Sequence, residues 1–127
     1  MHISEDASEY LEKCITYCKR NNIELTLFIS PVWDTSIIST ENYDMYSESV
    51  KAIADANDVA FYDFNLCRNE FLDIHHTDCF YDADHLNITG ASQFTRFFYD
   101  VVNGEMEQNK VMFYNSYMEK LEAEKQK

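Results

Sequence analysis

Apolar residues in this chain fall into two kinds of pattern. In some stretches they recur every three or four residues, as on one face of a helix; in two others they run together, as in a buried strand. Ala7, Tyr10, Leu11, Cys14, Ile15 and Cys18 form the first helical face. Ser4 stands before it as a start, Glu5 and Asp6 sit in its first turn, and Lys19 and Arg20 end it. Acids at the start and cations at the end suit the helix dipole. Residues 23–30, Ile-Glu-Leu-Thr-Leu-Phe-Ile-Ser, are a buried strand ended by Pro31. A second helix covers 40–57, with Thr40 as its cap and Tyr46, Val50, Ile53 and Ala54 as its apolar face.

The second strand is Val59-Ala60-Phe61-Tyr62-Asp63-Phe64. Residues 65–81 read as irregular, with one short helical turn near 68–72. A third helix follows Asn87, carrying Ala91, Phe94, Phe97, Phe98, Val101 and Val102, and Asn103-Gly104 stops it. A last helix is expected from 105 to about 124, with Phe113, Tyr117 and Leu121 on one stripe and a frayed charged tail over 122–127. Alternating helix and strand is the signature of parallel βαβ units with right-handed crossovers. The fold class is therefore α/β.

Composition narrows the field. A chain of 127 residues with 46% hydrophobic content is one globular domain. Its formal charge of −13 makes it a poor partner for nucleic acid or anionic lipid. No apolar run approaches the ~18 residues of a membrane span. The start Met1-His2-Ile3-Ser4-Glu5-Asp6 is no signal peptide, so the chain as written is expected in the cytoplasm. A piece of an exported protein would instead lie in the cell envelope or outside it. Cys14, Cys18, Cys67 and Cys79 include no Cys-x-x-Cys pair and read as ordinary buried or half-buried thiols.

The chemistry concentrates in Asp82-Ala83-Asp84-His85-Leu86-Asn87-Ile88-Thr89-Gly90. A carboxylate stands three residues before a histidine, at the mouth of a helix. Asp82 can turn back to accept from His85 Nδ1–H, which sets the tautomer and leaves Nε2 to take a proton. His75, His76, Asp78 and Cys79 crowd nearby and together suit a small zinc site. Against that, no pair has a familiar metal spacing, and no metal or cofactor is expected. The loop after the first strand offers Ser30, Trp33 and Asp34 as a pocket rim, because loops at strand C-termini carry the chemistry of open α/β sheets. A plain strand-to-helix turn with Trp33 packed on the surface is the alternative. Ser30 and Ser36 lack the glycine-flanked turn that exposes a nucleophile.

Asp-x-x-His followed by Leu-Asn-x-x-Gly and an amphipathic helix resembles the last motif block of the SGNH (GDSL-type) hydrolases. Phe61-Tyr62-Asp63-Phe64 likewise resembles the strand before that block. The resemblance covers about 4–104 and implies part of a flavodoxin-like, three-layer α/β/α sandwich with parallel strands. It implies that Asp82 and His85 are members of a Ser-His-Asp triad acting on O-acyl esters. The family's Gly-Asp-Ser block and its oxyanion blocks are not in this sequence, which has only Gly90 and Gly104. The expectation is thus an SGNH-like part over 1–104, with 105–127 as an extra C-terminal helix and tail. Alone it would be inactive, completed by a missing N-terminal half or joined to a second copy. A non-catalytic binding module and a metal-binding domain built on the His75–His85 cluster are the alternatives.

Overall fold

The computed structural model describes residues 3–37 and 39–125. Helix α1, Glu5–Arg20, starts where Ser4 Oγ accepts the Ala7 N–H at 3.2 Å. It ends on Asn22, whose φ of 55° is the left-handed conformation that asparagine tolerates. There Ile23 N–H reaches back to the Cys18 carbonyl at 2.8 Å and Asn22 N–H to Lys19 at 3.3 Å. Helix α2, Thr40–Ala56, ends the same way on Asp58, also at φ 55°, with Val59 N–H on the Ala54 carbonyl at 2.9 Å. Each reversal delivers the chain into a strand. The two strands, β1 (Thr26–Ile29) and β2 (Ala60–Asp63), pair in parallel from Thr26 with Ala60 to Ile29 with Asp63.

Three local expectations change. The cap of α2 is Ser39, which accepts the Asn42 N–H, and Thr40 is already helical. Phe64 leaves the strand and opens a 3₁₀ turn, Phe64–Leu66. The expected last helix is broken into α4 (Met106–Lys110) and α5 (Tyr117–Lys125). Between them Tyr114 N–H bonds to the Leu66 carbonyl at 2.9 Å, and Arg68 N–H to Met112 at 2.8 Å. This strand-like contact draws Phe113 off the helical stripe and into the core. Ser116 then restarts the helix by accepting the Glu119 N–H. The expected frayed tail lies partly outside the described residues, at Gln126 and Lys127.

Phe64 is the centre of the core, with no exposed surface. Its ring meets Phe94 edge-on at 4.9 Å and Phe113 edge-on at 5.7 Å, and lies tilted against Phe98 at 5.8 Å. Phe94 and Phe98 belong to α3, Ile88–Asn103. Such edge-on aromatic pairs add about 0.5–1.5 kcal/mol each beyond burial alone. Among the described residues, no helix is long and apolar enough to cross a membrane.

Candidate acid–base site

The site is a tight turn. Phe80 and Leu86 face each other in an antiparallel bridge, and Tyr81 N–H donates to the His85 carbonyl at 2.8 Å. The turn is tied to the core from its far end. Asn87 N–H bonds to the Cys79 carbonyl at 2.9 Å, and Asn87 Oδ1 caps α3 by accepting the Gly90 N–H at 3.0 Å. A Cβ on Gly90 would lie 2.1 Å from the Cys79 carbonyl oxygen. The glycine of the motif is therefore required by close backbone approach, and that approach sets where the turn sits.

Within the turn, His85 Nδ1 stands 2.8 Å from Asp82 Oδ1. The Asp84 N–H reaches the same oxygen at 2.9 Å. An ionised carboxylate only accepts, so Nδ1 carries the proton and Nε2 is the basic nitrogen. The Asp84 N–H first, and the His85 ring second, hold the Asp82 carboxyl below the usual carboxylate range. Both side chains are open to water, His85 at 73% exposure and Asp82 at 48%.

The loop after β1 meets this turn through Trp33 and Ser36. Trp33 N–H donates to the Ala83 carbonyl at 2.9 Å, and the Trp33 ring meets Phe80 edge-on at 5.5 Å. Ser36 Oγ–H is shared between the Ala83 carbonyl, at 2.8 Å, and the Asp84 carboxylate. Among the described residues, no serine hydroxyl bonds to the His85 ring. Ser30 is exposed, and its carbonyl accepts from Asn65 Nδ2 at 3.0 Å. Asp34 turns the other way. It accepts the Tyr117 hydroxyl at 3.0 Å and lies 3.4 Å from His75 Nδ1.

The crowded histidines separate. His75 faces Asp34 and Phe80, His76 pairs with Asp73 at 2.8 Å, and His85 pairs with Asp82. Among the described residues, no three His, Cys, Asp or Glu side chains are grouped to hold a metal.

Sequence reasoning missed two buried groups. Asp63, at the end of β2, takes the Tyr43 hydroxyl on both oxygens at 2.7 and 2.8 Å, Ser47 Oγ–H at 2.8 Å and Asn65 N–H at 3.0 Å. Burial raises its carboxyl pKa, and these hydrogen bonds oppose the rise. The signal was one acid within an apolar run, since a charge so placed must find partners. Lys120, 5% exposed, donates to the Asn65 carbonyl at 3.0 Å, and burial lowers its pKa. Its signal was weaker: a cation three residues past the apolar Tyr117 on one helix. Burial pushes the Cys67 thiol up to about 12, so it stays protonated and unreactive.

Set against protein-family models, curated proteins and solved structures, the chain matches none.

Proposed function

We propose that this chain carries the acid–base pair of an SGNH-type acyl hydrolase or acyltransferase. The adjacent parallel strands belong, on this reading, to a three-layer α/β/α sandwich of the flavodoxin-like kind. His85 is the general base and Asp82 its positioning residue. In the reaction, Nε2 takes the proton of a serine hydroxyl as its oxygen bonds to the ester carbonyl carbon. The same proton then passes to the leaving alkoxide as the acyl–oxygen bond breaks. The serine and the oxyanion donors come from a second segment bearing a Gly-Asp-Ser block.

The observation that supports this is the Asp82 oxygen held by two donors, the Asp84 N–H and the His85 ring, at 2.9 and 2.8 Å. A solvated surface pair needs no such lock. A binding module without chemistry is the second reading. It is favoured by the 73% exposure of His85, since catalytic histidines work in sheltered sites.

The test is hydrolysis of p-nitrophenyl acetate. The chain alone should match its His85→Ala variant, because losing one oxyanion donor already costs ~10²–10³ in turnover. Fused to a Gly-Asp-Ser segment encoded beside its first codon, it should show saturable turnover that His85→Ala abolishes. Turnover by the chain alone that vanishes in Ser30→Ala or Ser36→Ala overturns the reading. The same proposal includes self-association of the isolated chain, because the two strands among the described residues leave open edges. A monodisperse monomer in light scattering refutes that part.

A further inference from the structure

A cleft of about 290 Å³ opens beside β2, between α2 and residues 109–115. It shares no residue with the 82–85 turn. We propose that this cleft binds an alkylammonium cation. The inference stands apart from the acyl-transfer reading and uses none of its residues.

The walls are aromatic. Phe61, Tyr62, Phe113 and Tyr114 line the cleft, and the Tyr62 and Phe113 rings lie 5.7 Å apart. Ring faces are the negative ends of aromatic quadrupoles and attract cations whose hydration shell is weak. The buried polar part of the lining is Asp63 with Ser47 and Asn109. Every hydrogen bond to the Asp63 carboxylate comes from a neutral group: two hydroxyls and a backbone N–H. Among the described residues, no Lys or Arg is paired with it. Lys120 is near enough for its charge to be felt, but it gives its ammonium to the Asn65 carbonyl. A buried carboxylate with no ion pair at contact distance is costly. An ammonium group in the cleft would supply that ion pair.

The rim carries both signs. Glu48 and Asp55 line it with Lys51 and Lys110, and Lys51 is already taken by Asp55 at 2.6 Å. The whole chain carries −13, so its field draws cations and repels anions. Aromatic walls with a buried carboxylate fit a methylated ammonium better than a bare metal ion, which would need more oxygens than Asp63 has free. The group arrives either on a free small molecule or on a lysine side chain, and its chemistry is the same in both.

Chemical-shift titration of the full chain with tetramethylammonium tests this. Shifts should cluster at Phe61, Tyr62 and Phe113, with a Kd on the order of 1 mM for so small a ligand. The uncharged isostere neopentane is too insoluble, so 3,3-dimethylbutanol serves as the neutral control against choline. Choline should bind at least ~10-fold more tightly. Phe113→Leu should weaken it about tenfold. Lys51→Gln, an exposed change that spares the core, frees Asp55 and should tighten binding at low salt. A trimethyllysine peptide run beside choline separates the sources. Equal affinity marks a free cation, and tighter peptide binding that also shifts the β2 backbone marks a presented side chain. The proposal is overturned if 3,3-dimethylbutanol binds as well as choline, or if Lys51→Gln weakens binding. No shift at the cleft by about 50 mM choline overturns it as well.

Discussion

His75 and His85 each stand beside an aspartate in the same stretch of chain, and their surroundings differ in almost every respect. His85 Nδ1 is 2.8 Å from Asp82 and the ring is 73% exposed. His75 Nδ1 is 3.4 Å from Asp34 and the ring is 13% exposed. At that distance His75 makes no hydrogen bond, and neither of its ring nitrogens has a partner among the described residues. Burial is the main cause that lowers its pKa to about 4, with Lys120 adding to it and Asp34 opposing. A carboxylate beside a histidine is therefore not enough to make a base. Asp82 is bonded to the His85 ring, so it fixes the orientation and tautomer of that ring. Asp34 is spent on Tyr117, and the His75 site resists charge.

The largest expected effect separates buried from exposed carboxylates. Asp63→Ala leaves the Tyr43 and Ser47 hydroxyls and the Asn65 N–H without their acceptor, and should cost about 3 kcal/mol or more. Asp82→Ala should leave the urea midpoint where it is. If the two variants melt alike, burial is not what distinguishes the pairs.

A smaller effect concerns acid. The folded His75 holds its proton less tightly than the unfolded chain, whose value is about 6.5. As pH falls through 6.5 toward 4, the unfolded state takes up a proton that the folded state refuses, so stability falls. The loss between pH 7 and pH 5 should be about 2 kcal/mol from this residue. It is read as the difference between wild type and His75→Phe in urea melts at the two pH values. Equal slopes for wild type and His75→Phe would break the contrast.

The third test touches the loops that join the two pairs. Ser36→Ala removes the side-chain tie between the 31–37 loop and the 82–85 turn and leaves the Trp33 N–H to Ala83 bond, and should cost about 1 kcal/mol. Amide exchange at Ala83 and Asp84 should quicken, while exchange around His75 stays as it was.

The smallest effect is a change of tautomer. Asp82→Asn removes the carboxylate that accepts from Nδ1, so the His85 ring should lose its preference for the Nδ1–H form. Ring nitrogen chemical shifts report this directly. An unchanged tautomer would mean that the backbone turn, rather than Asp82, orients the ring.

Elements held by contacts within a few residues were legible in the amino-acid pattern. Ser4 caps α1 through Ala7, and Asn87 caps α3 through Gly90, each three residues away. The Asp82–His85 pair is also a three-residue contact. The two strands announced themselves by apolar runs, and their parallel pairing followed from the helix between them. The break at 111–116 was not legible, because helical spacing there is intact. Only the bonds to Leu66 and Arg68, more than forty residues away, make an extended backbone win locally.

Sequence by itself determined which side chains could form a local acid–base pair, because helix caps, turns and i, i+3 contacts are settled by nearby backbone. Tertiary structure alone decided which titratable groups are removed from water. Asp63 depends on α2, Lys120 on the Asn65 carbonyl fifty-five positions away, and His75 on Phe80 and the β1 loop. Burial is a property of what packs over a residue, and distant parts of the chain do that packing here. The charge states of Asp63, Lys120 and His75 therefore follow from the fold, and that of Asp82 from its own turn.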